Sequence, residues 1–163
     1  SLVYKNMNKS EVRQAFLDEL QRIHKTALNA AQTAIESATD EETVPEHKYD
    51  TLALEASYLA HGQAVRVQEC EEDIQCYRDL VLREGERIAM SSFLSVIDEQ
   101  DKVKYFFIGP RVGGLSVEWG GKDVAILTPN APLGAALMGK EVGDEVEFSV
   151  ADSHFIYEIV SVC

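Results

Sequence analysis

The sequence predicts an α+β protein, in which an N-terminal antiparallel α-helical coiled-coil hairpin precedes a C-terminal antiparallel β domain with one short helix. Residues 9–39 contain no Gly or Pro and repeat apolar side chains every three or four positions, as a helix with one buried seam does. Beyond residue 85, short segments rich in Val, Ile, Phe and Tyr alternate with turn-forming groups. We therefore place the hairpin at residues 1–84 and the β domain at residues 85–163.

The first helix of the hairpin carries an apolar seam that begins at Val12 and Phe16 and becomes alanine-rich towards residue 38. The second helix repeats the pattern from Leu52 to Val81. Aligning the seams places Phe16 opposite Cys70 in an antiparallel coiled coil. Small seam residues favour close helices and a slender rod, although alanine is also simply the best helix former.

The same alignment places His24 opposite His61. Two histidines without a third ligand make a poor zinc site. A polar layer that fixes the register of the hairpin is the better interpretation, because polar seam residues specify register in coiled coils.

Strand-like segments fill the second half, and a single segment, Ala131 to Met138, has a helical pattern. The predicted strands are Arg87 to Ile97, Val103 to Gly109, Leu115 to Trp119, Lys122 to Leu127, Glu145 to Val150 and Phe155 to Val162. Their short turns predict a small antiparallel sheet.

The chain is acidic, with a formal net charge of -13, and both halves share the excess. Proteins that grip nucleic acid need clustered Lys and Arg, so independent nucleic-acid binding is not expected. The chain has no apolar run of the roughly 20 residues that cross a bilayer and no signal-peptide pattern, so we expect a cytoplasmic protein without a membrane partner. Its three cysteines fit a reducing compartment and are interpreted as thiols without chemistry.

Acidic residues crowd the predicted hairpin tip, at about residues 39–50. The six acids Glu36, Asp40, Glu41, Glu42, Glu46 and Asp50 face one base, Lys48. Such a run is often only a solvated face. The functional interpretation is a carboxylate cluster for Mg²⁺, which takes oxygen ligands and is commonly held by one or two carboxylates together with phosphates. This tip would hold no Mg²⁺ stably alone, but it could complete a site that another protein supplies.

Two segments carry a family resemblance. ILTPNAPLGAALMGKEVGDEVEF, together with the order of the elements, resembles the Gre family of bacterial transcript cleavage factors, and KYDTLALEASYLAHGQAVR is similar to a signature of small GreA/GreB-like paralogues. The resemblance implies an FKBP-like C-terminal domain that docks at the secondary channel of RNA polymerase. The hairpin would then enter the channel, so the implied partner is RNA polymerase, and the RNA 3′ end would be met only indirectly.

The resemblance also implies roles at the tip. In the family, an aspartate, a Glu-Asn pair and a tyrosine stabilise a second magnesium ion and a nucleophilic water. Glu46, His47 and Tyr49 align with the Glu-Asn and tyrosine positions with a one-residue gap, and Thr43 falls where the aspartate should be.

The candidate catalytic and metal-facing residues follow from this alignment. Glu46 is the first candidate, followed by Asp40 and Glu42 as substitutes for the aspartate, with Glu41 as a further catalytic candidate. The Mg²⁺ would be shared with RNA polymerase. Tyr49 would contact RNA or position the tip, or else close the helical seam.

In the C-terminal domain, the segment that resembles the family's polymerase-facing loop comprises Asn130, Ala131, Pro132, Leu133 and Gly134. A structural role is an open alternative, because Pro132 suits the start of a helix. The favoured function is stimulation of RNA cleavage by the polymerase, with no enzyme activity in isolation. The alternatives are a secondary-channel regulator that does not stimulate cleavage and a peptidyl-prolyl isomerase-like module, the last suggested by fold alone.

Overall fold

A computed structural model of the chain describes residues 8–39 and 50–163. Within these ranges, two long helices precede six strands and one short helix. The helices are α1 (Lys9–Thr39), α2 (Asp50–Asp79) and α3 (Pro132–Leu137), and the strands are β1 (Phe93–Ile97), β2 (Val103–Ile108), β3 (Ser116–Trp119), β4 (Lys122–Leu127), β5 (Glu145–Val150) and β6 (Ser153–Val162). The predicted fold class, a helical hairpin followed by a sheet with one short helix, is confirmed.

The chain divides into two compact units. The sheet unit holds the described residues 8–16 and 76–163, and the hairpin unit holds those between 17 and 75. Both long helices therefore contribute residues to the sheet unit. Within it, the Lys9 ammonium donates to the Arg83 carbonyl, and Arg13 Nη1 donates to the Leu80 carbonyl at 2.8 Å.

The hairpin unit is antiparallel, but its predicted register is wrong. His24 Nε2 lies 3.2 Å from Glu71 Oε1, ten residues beyond the predicted partner His61, which is exposed. Alanines recur along both seams, and because they pack almost equivalently at several offsets they specify register weakly. Large side chains specify it better. In the sheet unit Phe16 packs near Tyr77, with ring centroids 6.3 Å apart, instead of opposite Cys70.

The six strands form one sheet in the order β3-β4-β2-β1-β6-β5. All neighbouring pairs are antiparallel except β2 and β4, which are parallel. The predicted antiparallel sheet is therefore confirmed except at this one parallel pair. The physical reason is that β3 and β4 form a hairpin with β3 on the outer edge, so β4 returns beside β2 in the same direction.

Each face of the sheet packs against a different element. On one face Leu94 and Ile108 belong to the same buried cluster as Leu133 and Leu137 of α3. On the other face Phe107 packs against Phe16, with ring centroids 5.6 Å apart. The sheet unit is thus built around two apolar layers, and it holds α3 and the loops at its ends in fixed positions.

Candidate functional site

Two loops leave the sheet at the same edge, meaning here the side at which the carboxyl ends of β2 and β4 lie. Because β2 and β4 are parallel neighbours, their carboxyl ends, at Ile108 and Leu127, lie side by side. The β2–β3 loop, residues 109–115, and the β4–α3 loop, residues 128–131, therefore begin next to each other. Together with the exposed start of α3 they form what we call the edge surface.

The β4–α3 loop and the start of α3 contain the five residues singled out from the sequence, and the structure separates them by exposure. Asn130 and Pro132 are exposed and Ala131 is half-buried, whereas Leu133 and Gly134 are buried. Of the five, therefore, Asn130 and Pro132 are best placed to touch a partner.

Leu133 and Gly134 help to build this part of the chain. Leu133 lies in the core cluster beneath α3. A Cβ atom on Gly134 would lie 2.0 Å from the Thr128 carbonyl oxygen, so that glycine is required for the close approach of the two backbones. The turn is completed by Ala131 N–H, which donates to the same Thr128 oxygen at 3.1 Å.

The β2–β3 loop is fastened to β4. Gly109 N–H donates to the Leu127 carbonyl at 3.1 Å, and Gly114 N–H donates to the Ile126 carbonyl at 2.9 Å. From α2, the Tyr77 hydroxyl donates to the Arg111 carbonyl at 2.6 Å. The place of this loop, whose sequence is GPRVGGL, beside the β4–α3 loop could not be read from the sequence, because only the parallel pairing of β2 with β4 brings the two together.

Among the described residues, both units also carry concavities. One, of about 280 Å³, lies between α1 and α2 of the hairpin unit and includes Ala27, Ala30 and Arg66. Two more, of about 220 and 440 Å³, lie on the sheet unit, and Lys104 lines both. Among the described residues, no cluster of three or more His, Cys, Asp or Glu side chains is arranged to hold a metal ion.

The tip residues cannot be placed in this geometry. Asp40, Glu41, Glu42, Glu46 and Tyr49 lie outside the described residues. The carboxylate cluster, its Mg²⁺ and the role of the tyrosine therefore stay predictions.

Two of the cysteines have thiols that favour the neutral form. Burial raises the pKa of the Cys70 and Cys163 thiols, and this effect outweighs the charges of nearby Arg66 and Lys9, which act in the opposite direction. Because the thiolate is the reactive form, these two residues are poor nucleophiles at neutral pH. Burial likewise lowers the pKa of the Lys9 ammonium.

In the described ranges, no helix combines the length and the apolar character that crossing a membrane requires.

Comparison with known proteins gives matches that centre on the sheet unit. The family described as "Transcription elongation factor, GreA/GreB, C-term" matches residues 83–163. A transcription elongation factor GreA from Nautilia profundicola is 34% identical over 79 residues, which are 47% of this chain and 44% of that protein. Against this relative, the chain spans less than half of the other protein's length.

Longer matches extend over the helices as well. The GreA of Zymomonas mobilis is 29% identical over 93% of this chain and 91% of its own length. That of Francisella philomiragia is 26% identical over 91% of this chain and 90% of its own. A solved structure of Gfh1 from Thermus aquaticus has a TM-score of 0.39 and 18% identity, covering 91% of this chain and 94% of that one. Through its residues 83–163, the chain belongs to the GreA/GreB family of transcription elongation factors.

Proposed function

We propose that this protein binds RNA polymerase through its sheet unit and inserts its acidic tip into the secondary channel, where it stimulates cleavage of backtracked RNA. The observation that carries the proposal is the GreA/GreB match over residues 83–163, which includes the whole edge surface. The full-length similarity to proteins named transcription elongation factor GreA adds support for the helices.

The edge surface is suited to docking because its exposed residues stand on a rigid base. Asn130 and Pro132 project from a turn that is hydrogen-bonded to Thr128 and anchored by buried Leu133. A preorganised loop loses little conformational entropy when it binds, so few exposed residues can give useful affinity.

The tip would contribute carboxylates to chemistry that the polymerase performs. Glu46 is the first candidate, Asp40 and Glu42 follow, and Glu41 is a further one. When bound, Mg²⁺ supplies an activated water and stabilises the leaving oxygen in phosphodiester hydrolysis. The carboxylates of this chain would help to hold the ion, and Tyr49 would position the tip or contact RNA.

The negative charge of the chain is consistent with a protein that supplies carboxylates while the polymerase binds the RNA. With a net charge of -13, the protein is poorly suited to hold RNA by its phosphates, so the RNA 3′ end would be held by the polymerase. Such a protein would act in the cytoplasm, where transcription takes place in bacteria.

The docking half of the proposal is tested by binding to purified RNA polymerase. Asn130→Ala with Pro132→Ala should weaken binding at least about tenfold, as the loss of interface anchors does. The matched control is Val150→Ala with Asp152→Ala, two exposed residues at the β5–β6 turn. Equal affinity of both double variants and the unchanged protein would remove the edge surface from the interface.

The cleavage half is tested in a backtracked elongation complex with Mg²⁺. The triple variant Asp40→Ala, Glu42→Ala and Glu46→Ala should keep polymerase binding and lose stimulation of cleavage. A control with Glu118→Ala, Glu145→Ala and Asp152→Ala removes three exposed carboxylates of the sheet unit and changes the net charge equally. If this control loses as much activity as the tip variant, the effect is one of net charge and the tip proposal fails.

One observation favours a second candidate, a regulator that occupies the channel without stimulating cleavage. Thr43 stands where the family's tip aspartate is expected. This candidate predicts tight polymerase binding and no acceleration of cleavage. It also predicts that the protein inhibits the cleavage that a competing Gre-type factor stimulates. Binding with accelerated cleavage would exclude it.

A further inference from the structure

We propose that Tyr77 is a positioning residue for the edge surface: its hydroxyl holds the β2–β3 loop in the backbone conformation that supports the turn carrying Asn130 and Pro132. The inference rests on the proposed function only for its last step, the effect on polymerase binding. Its earlier steps concern the sheet unit by itself.

Tyr77 reaches the loop from the last turn of α2. Its side chain is fully buried, and its hydroxyl donates to the Arg111 carbonyl at 2.6 Å. The ring lies beside Phe16, at 6.3 Å between centroids. Gly109 makes room for the hydroxyl, since a Cβ atom there would lie 2.1 Å from it. The tyrosine is therefore fixed by packing, and its hydrogen bond meets the loop at a defined point.

The β2–β3 loop needs this restraint at Arg111 because the residue that follows, Val112, is strained. Val112 has a φ of +61°, a left-handed conformation that a β-branched residue adopts only when its surroundings impose it. The Val112 carbonyl also accepts from Leu115 N–H at 3.1 Å. With Arg111 tied to Tyr77 on one side and Leu115 closing the turn on the other, the strained residue is held from both directions.

The strained segment is in contact with the turn below Asn130 and Pro132. Gly113 lies close to Thr128, so that a Cβ atom on the glycine would be 3.2 Å from Thr128 Cγ2. Thr128 in turn presents the carbonyl oxygen that accepts from Ala131 and lies against Gly134. A change of backbone conformation at Val112 would move Gly113 against Thr128 and so displace the start of α3.

Tyr157 supplies a matched control in the same unit. It is 4% exposed, and its hydroxyl accepts a hydrogen bond from Lys104 Nζ at 3.0 Å. Removing this hydroxyl takes one hydrogen bond from a buried tyrosine on β6, and the bond has no part in the β2–β3 loop. A loss of protein stability that both Tyr→Phe substitutions cause can thus be separated from an effect of Tyr77→Phe on the edge surface.

The experiment compares Tyr77→Phe, Tyr157→Phe and the double variant Tyr77→Phe with Val112→Gly in the full chain. Amide NMR shifts of residues 109–115 and 128–134 report the loops in the free protein, and titration with RNA polymerase reports binding. Tyr77→Phe should move these amides and weaken binding about fivefold, the size of effect expected from one hydrogen bond. Tyr157→Phe should do neither.

The double variant supplies the decisive readout. Glycine adopts a positive φ without strain, so Val112→Gly should restore the loop shifts and most of the affinity although the hydroxyl is still missing. A purely structural role of Tyr77 at the base of the helices would not be rescued in this way. Unmoved loop amides in Tyr77→Phe, or a double variant no better than the single one, would overturn the inference.

The two proposals fail in different ways. If the unchanged protein does not bind polymerase, the proposed function fails, while the NMR comparison still decides whether Tyr77 sets the conformation of the edge surface. If the unchanged protein binds and Tyr77→Phe moves the loop without weakening binding, the last step of the inference, the effect on polymerase binding, is overturned and the proposed function stands.

Discussion

The sheet unit and the hairpin unit use their apolar residues differently. The sheet unit completely buries large side chains, among them Tyr77, Phe93 and Phe107. Much of the hairpin unit's buried seam is alanine, while Tyr58 and Leu59 are 70% and 56% exposed. Burial of a large side chain contributes about 2 kcal/mol, against under about 1 kcal/mol for a methyl group. The comparison indicates that stability is concentrated in the sheet unit.

The largest expected effect comes from emptying the core of the sheet unit. Phe107→Ala should lower the free energy of unfolding by about 4 kcal/mol, because it leaves a cavity beneath Phe16. Urea unfolding monitored by circular dichroism measures it. Ala34→Gly, at a buried position of the hairpin unit, should cost only about 1 kcal/mol. Similar losses for the two changes would contradict the comparison.

A smaller effect is expected from Gly134→Ala at the start of α3. The added Cβ would lie 2.0 Å from the Thr128 carbonyl oxygen, so the turn must shift, at a cost of about 2 kcal/mol. Thermal unfolding measures the cost, and polymerase binding should weaken with it. Gly85→Ala is the control, since the nearest atom to its Cβ would be 4.0 Å away. Equal melting temperatures for the two variants would mean that the close approach at Gly134 is relieved without cost.

The smallest effect has the opposite sign. Gly62→Ala in α2 should raise the free energy of unfolding by about 0.8 kcal/mol, because alanine is the better helix former and its Cβ would meet nothing within 4 Å. The gain should appear as a higher urea midpoint for the helical signal. A loss of stability would mean that this position of α2 needs the conformational freedom of glycine.

The extents of α1 and of the short helix α3 could be predicted from periodicity, because both depend on the local sequence pattern. The first helix ends at Thr39 as expected, and the helix expected at 131–138 spans Pro132–Leu137. The register of the hairpin could not be predicted from its alanines. It is seen instead where large or polar groups meet, as at Phe16 with Tyr77 and His24 with Glu71.

The candidate site was predictable only in part, for a related reason. The segment from Asn130 to Gly134 is continuous in sequence, so its composition and resemblance were sufficient to single it out. Tyr77 and Arg111 are 34 residues apart, and the Tyr77 hydroxyl donates a hydrogen bond to the Arg111 carbonyl. Short-range patterns carry no information about such a contact, and the parallel pairing of β2 with β4 is equally non-local.

The position of β3 at the margin of the sheet has a practical consequence. The β3–β4 hairpin lies between the two edge loops in sequence. Its Gly120–Gly121 turn is exposed, and a Cβ atom added at either glycine would meet nothing within 4 Å. Exposed turns of this kind tolerate insertion. A fluorescent label or a short epitope could be attached at this turn, which would provide a handle for following the protein during transcription while Asn130 and Pro132 stay uncovered.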